Sequence, residues 1–158
     1  ISDWQDPVGN VSWIEQAGVM ESLNAFADQM ARRQVGVLLF EPSPEFPHDV
    51  HRCEPQWFRA PDVPGCSVPA DRLKALRGST YRAIAQRLSP CVSRFDPFGV
   101  LCPGERCSMV DEDGQPRYRD DNHLSRRAAV SLLDRVAESL RSAGQRLSSK
   151  ACLDRASL

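Results

Sequence analysis

Val35-Gly-Val-Leu-Leu-Phe40, cut off by Glu41-Pro-Ser-Pro44, is a continuous apolar run of strand length. Unbroken apolarity suits a strand covered on both faces, as in a parallel sheet, whereas a half-buried strand would alternate with polar residues. Upstream, Trp13, Ala17, Met20, Leu23, Ala27 and Met30 recur at three- and four-residue steps. That spacing predicts an amphipathic helix, opened by the capping box Ser12-x-x-Glu15 and closed by Arg32 and Arg33 in its last turn. Ile1 to Asn10 reads as a polar lead-in. Helix followed by buried strand points to a layered α/β domain.

Downstream of the strand, loop is expected as far as Pro69. Pro42, Pro44, Pro47, Pro55, Pro61, Pro64 and Pro69 fall in it, with Trp57 and Phe58 near its middle. So long a loop inside a compact domain is functional or pinned. It leaves the carboxyl end of a parallel strand, where ligands bind in open α/β sheets. Trp57 and Phe58 are therefore possible substrate contacts, or else a hydrophobic lid on the core. A second helix follows, with Pro69 as an early-turn proline and Leu73, Leu76, Thr80, Ile84 and Leu88 turned inward, weakened by Gly78. Cys91-Val-Ser-Arg-Phe95 is a short strand stopped by Asp96-Pro97, and Leu101 to Arg117 is turn-rich. Ala129, Leu132, Leu133, Val136 and Leu140 then define a third helix from about Arg126 to Ser142. Beyond Gly144 the Ser- and Arg-rich tail is expected to fray. Two strands make a thin sheet, so another is expected before Ile1 or from a partner.

The 158 residues fit one domain with a real core. Lys+Arg number 20 against 21 Asp+Glu, a net charge of -1, which gives no basic field for nucleic acid. No run approaches the roughly 18 apolar residues of a membrane span. The start at Ile1, not Met, suggests a cut from a longer polypeptide or a processed product. Cys53 and Cys66 bracket part of the Pro-rich loop, and Cys102 and Cys107 bracket a Pro-Gly turn. Both pairs look like local staples, favouring an oxidising compartment; reduced, buried cysteines are the alternative. Cys91 and Cys152 are left unpaired.

Tyr118-Arg-Asp-Asp-Asn-His-Leu-Ser125 gathers two carboxylates and a histidine where a loop hands over to a helix. A carboxylate that fixes an imidazole's tautomer is the back half of a nucleophilic relay. Against this, Asp120 and Asp121 could be solvated acids near a helix N-terminus, with His123 an ordinary surface imidazole. By spacing alone that plainer reading wins. A metal site is weaker again, because neighbouring loop residues rarely converge on one ion and His48 and His51 are far away in sequence.

Context changes the balance. Phe95-Asp-Pro97, Leu101-Cys-Pro103, Cys107, Gly114 and the Tyr118–Ser125 stretch together resemble the C-terminal part of the SGNH (GDSL-like) hydrolase domain. The likeness is closest to the version fused to acyltransferase-3 proteins, which O-acetylate cell-surface polysaccharides, and it covers roughly Val11 to Leu140. It implies a partial flavodoxin-like, three-layer SGNH fold, α/β with parallel strands flanked by helices, over residues 1–144, with 145–158 as the tail. It maps the family's Asp-x-x-His onto Asp120 and His123, with Asp121 as runner-up carboxylate. The implied chemistry is Ser-His-Asp acyl transfer or ester hydrolysis on acetyl-like groups of glycans, without metal or organic cofactor. The implied partners are a glycan or acylated small molecule and a membrane acyltransferase domain, and the implied location is periplasmic or cell-surface. The family's Gly-Asp-Ser nucleophile block occurs nowhere in the 158 residues, so this chain alone is expected to be inactive. Asn10, beside Gly9, does not match the context of an oxyanion-hole asparagine. The rival readings are a non-catalytic glycan-binding or accessory module of the same fold, and a small disulfide-stabilised secreted protein.

Overall fold

The computed structural model describes residues 18–54, 57–58 and 63–156. The lead-in, the Ser12–Glu15 capping box, Trp13 and Ala17, and Pro55 and Pro61 of the loop lie outside the described residues. The elements in chain order are α1 (Val19–Arg32), β1 (Val37–Phe40), α2 (Val63–Cys66), β2 (Ser67–Pro69), α3 (Ala70–Leu76), α4 (Gly78–Arg87), β3 (Val92–Phe95), α5 (Phe98–Leu101), β4 (Arg106–Ser108), α6 (Arg126–Ser131), α7 (Leu133–Leu147) and α8 (Lys150–Ala156). A 3-10 turn occupies Val50–Arg52. No helix among the described residues is long and apolar enough to cross a membrane.

The chain divides into two compact units. The first comprises Ile1–Phe40, Arg77–Phe95 and Arg135–Leu158, the second Glu41–Leu76 and Asp96–Asp134.

In the first unit β1 and β3 pair in parallel, Val37 opposite Val92 through Phe40 opposite Phe95. The Phe40 and Phe95 rings pack against each other tilted, with centroids 4.8 Å apart. Met20 of α1 and Ile84 of α4 are fully buried, with Leu23, Leu39 and Leu88 against them. Each such side chain contributes about 1.5–3 kcal/mol when removed from water. This is the expected mixed α/β layer, a parallel sheet with helices packed on it. The glycine in the apolar run has a steric reason: a Cβ on Gly36 would meet Ala143 of α7 at 3.3 Å.

Several expectations for this unit need correction. Helix α1 is described from Val19, after Gly18 at φ 84°. Strand β1 is not fully buried: Val37 to Leu39 are half-buried and Phe40 is exposed, and β3 is its one partner strand among the described residues. The frayed tail is instead α8, held by three ties. Cys152 is bonded to Cys91, Ala31, Cys91, Leu147 and Cys152 form one buried cluster, and Arg155 Nε donates to Asp28 Oδ2 at 2.9 Å.

The second unit holds the antiparallel pair β2 and β4, Val68 opposite Cys107. Two disulfides converge on it, Cys53–Cys66 and Cys102–Cys107. With Cys91–Cys152, all six cysteines are bridged, which suits an oxidising compartment. Pro69 closes β2 and does not open a helix, a fitting place for a residue with no N–H to give.

Both long predicted helices are broken. The second becomes α3 and α4, interrupted at Arg77 beside Gly78, where the missing side chain lowers helix propensity. The third becomes α6 and α7, interrupted at Leu132. The break shifts the helical phase, so α7 buries Ala143 and Leu147. Leu133 and Leu140 stay 58% and 54% exposed.

Candidate active site

The Tyr118–Ser125 stretch is a tight antiparallel hairpin within the second unit. Tyr118 pairs with Leu124. The Arg119 N–H donates to the His123 carbonyl at 2.7 Å, and the Ser125 N–H to the Arg117 carbonyl at 2.9 Å. Asp120 builds the tip, because an aspartate side chain can stand in for a backbone carbonyl two residues on. Its Oδ1 accepts from the N–H groups of Asn122 at 3.0 Å and His123 at 2.7 Å. Ser125 then caps α6, its Oγ accepting from the Ala128 N–H at 3.2 Å. Replacing such a cap by alanine costs about 1 kcal/mol.

The second carboxylate oxygen meets the imidazole: His123 Nδ1 lies 2.8 Å from Asp120 Oδ2. Asp120 thus accepts three hydrogen bonds. The His123 and Asn122 N–H groups, then the imidazole, hold its pKa down at about 2, so it is a carboxylate at any ordinary pH. An ionised carboxylate beside Nδ1 favours the tautomer with hydrogen on Nδ1 and leaves Nε2 as the basic nitrogen. Nε2 makes no hydrogen bond among the described residues, and the His123 side chain is 76% exposed.

The hairpin is fastened from outside by residues that spacing arguments had not singled out. The Phe46 N–H donates to the Asp121 carbonyl at 2.9 Å, and Ser43 Oγ donates to the Asn122 carbonyl at 2.9 Å. The buried rings of Phe46 and Tyr118 meet edge-on at 5.0 Å. Only the apolar Phe46 amid prolines hinted at this. Burial also pushes the Tyr118 hydroxyl's pKa up, and that hydroxyl has no hydrogen-bond partner among the described residues.

Of the sequence-predicted residues, Asp120 and His123 are brought together. The Asp121 carboxylate makes no hydrogen bond or ion pair among the described residues, and Asp121 serves through its carbonyl. Trp57 and Phe58 form an edge-on pair with centroids 5.4 Å apart. Trp57 is 97% exposed, so a lid closed over the core is not what it forms. No group of three or more His, Cys, Asp or Glu among the described residues is placed to hold a metal ion.

Comparison with known proteins gives one family match. The model of the SGNH domain (fused to AT3 domains) matches residues 2–138. Neither a curated protein nor a solved structure matches the chain. The hairpin that joins Asp120 to His123 falls inside the matched span, and with nearly the whole length matched the chain belongs to the family of SGNH domains fused to AT3 domains.

Proposed function

We propose that this domain supplies the general base and the orienting carboxylate of an acyl transfer on glycan hydroxyls, with His123 as base and Asp120 as orienter. An SGNH domain of the kind fused to AT3 domains is an acyl-transfer or esterase-type module. The observation that carries the finer reading is the 2.8 Å bond between His123 Nδ1 and Asp120 Oδ2. It leaves Nε2 available to take a proton from a serine hydroxyl.

In the proposed cycle the serine Oγ attacks the acyl carbonyl carbon as Nε2 takes the hydroxyl proton. Collapse expels the donor's leaving group, which departs with that proton, and the acyl group remains on the serine. An acceptor hydroxyl then gives its proton to Nε2 and takes the acyl group, and the serine regains the proton. The serine itself belongs to a Gly-Asp-Ser block that these 158 residues do not contain. The proposal is thus confined to the base and its orienter.

Trp57 and Phe58 present aromatic faces on which a sugar ring could stack, which supports a glycan as substrate. The three disulfides support an oxidising, extracytoplasmic setting. The partner in this reading is a membrane acyltransferase domain, as the family's fusions suggest. The exposed aromatic pair would equally serve a module that only binds glycan.

One substitution separates the two. In the protein carrying the complete relay, His123→Ala is expected to lower acyl transfer by about 10³-fold or more with the fold unchanged. Wild-type turnover would leave only the binding module.

A further inference from the structure

A cavity of about 260 Å³ opens at the base of the site hairpin, with Leu101, Asp111, Arg117, Arg127 and Ser131 among its walls. Two arginines and one aspartate are among the residues that line it. The carboxylate is already satisfied. Asp111 Oδ1 accepts from the N–H groups of Asp113 at 3.0 Å and Gln115 at 2.8 Å, and Oδ2 lies 3.2 Å from Arg127 Nη2. Arg127 also reaches Asp113 at 3.0 Å, so its charge is largely answered.

Arg117 is different. Its Nη1 donates to the Leu101 carbonyl at 3.0 Å, and its side chain has no other hydrogen bond and no carboxylate partner among the described residues. It is nonetheless half-buried. A guanidinium carries five donors in a fixed fork that matches a carboxylate or phosphate. Taken partly out of water with one donor used, it favours an anion in the cavity.

We propose that this cavity is a subsite for a small oxyanion, a carboxylate or phosphate group, gripped by Arg117 with Arg127 beside it. If the acyl-transfer reading holds, on which this extension to substrate rests, the anion is carried by the acceptor, which is then an acidic glycan. The geometry fits that role. Arg117 and Ser125 form the closing rung of the hairpin whose tip holds His123, and the cavity wall continues along α6 through Arg127 and Ser131.

The test is an NMR titration of this chain with glucuronate, with inorganic phosphate and with neutral glucose. Saturable shifts at Leu101, Arg117, Arg127 and Ser131 are expected for the anions and none for glucose. The stronger of the two anions identifies the charged group recognised. Arg117→Gln should weaken binding about tenfold or more, the worth of charge-assisted hydrogen bonds. Because Arg117 also holds the Leu101 carbonyl, a second variant, Ser131→Asp, keeps Arg117 and places a carboxylate at the cavity wall. It should also abolish anion binding, with the fold checked by the same spectra. No saturable shift with either anion, or unchanged binding in either folded variant, overturns the subsite. That outcome would leave the His123–Asp120 proposal standing, because neither residue lines the cavity.

Discussion

Asp49-Val-His51 and Asp120-Asp-Asn-His123 begin alike, each with an aspartate whose Oδ1 accepts the N–H of a following histidine. They then diverge. His51 turns its Nδ1 toward Glu54 at 3.4 Å, while its Nε2 lies 3.9 Å from Asp49. The carboxylate that holds the backbone is not the one that meets the ring. In the hairpin a single carboxylate does both, Oδ1 on two N–H groups and Oδ2 on the imidazole at 2.8 Å. The third residue of spacing makes that possible. A carboxylate already fixed by the backbone loses little rotamer freedom in orienting the ring. A histidine near acids is common, and what distinguishes His123 is an acid with no freedom left to wander.

That contrast can be broken at several points. The largest effect is expected from the carboxylates of the hairpin. In the protein carrying the complete relay, Asp120→Asn should lower acyl transfer by about 10²–10⁴-fold, because an amide no longer selects the useful tautomer. Asp121→Asn, whose carboxylate has no partner among the described residues, should change turnover little. The reverse order in a rate assay would hand the role to Asp121.

The next effect is on pH. Asp120 is held down at about 2 by the N–H groups of His123 and Asn122, below an unfolded carboxylate near 4. The order its ionised form gives the hairpin is therefore complete above about pH 4 and lost as pH falls through about 2. Carboxyl-carbon NMR should show Asp120 titrating near 2; a midpoint at the unfolded value would mean the turn is not locked. The smallest expected effect is that of His51→Ala, which should leave acyl transfer unchanged. A loss comparable to that of His123→Ala would show that the loose turn matters after all.

Much of this was legible in the sequence, and for local reasons. The apolar run announces β1, the stop at Asp96-Pro97 marks the end of the short strand β3, the Asp-x-x-His spacing pairs Asp120 with His123 without announcing a hairpin, and two cysteine pairs bracketing short loops announce their own bridges. What the sequence hid was set by tertiary choice. Leu133 and Leu140 carry helical periodicity, yet the break at Leu132 turns that side of α7 outward. Thr80 and Ile84 are buried as expected, but on a helix that restarts at Gly78. The tail looked unstructured because its residues are polar, and what orders it is a cysteine whose partner no spacing could name. Ser43 and Phe46 went unnoticed as supports because their bonds run to main-chain carbonyls far away in sequence, those of Asn122 and Asp121.

The bridges differ in reach, spanning 5, 13 and 61 residues, and this bears on how the chain is made. Delivered amino end first into an oxidising compartment, it can close Cys53–Cys66 as soon as that loop emerges. Cys91 must stay open while Cys102 and Cys107 pass by, and both are nearer in sequence than Cys152. Loop-closure entropy favours the nearer partners. An oxidant alone would therefore scramble a share of the molecules, and maturation should depend on a catalyst that reshuffles bonds. Mass mapping of chains made without a disulfide isomerase is expected to find Cys91 joined to Cys102 or Cys107, with Cys152 and the other member of that pair left over. The last helix is, in that sense, a quality seal applied only when the rest is correctly wired.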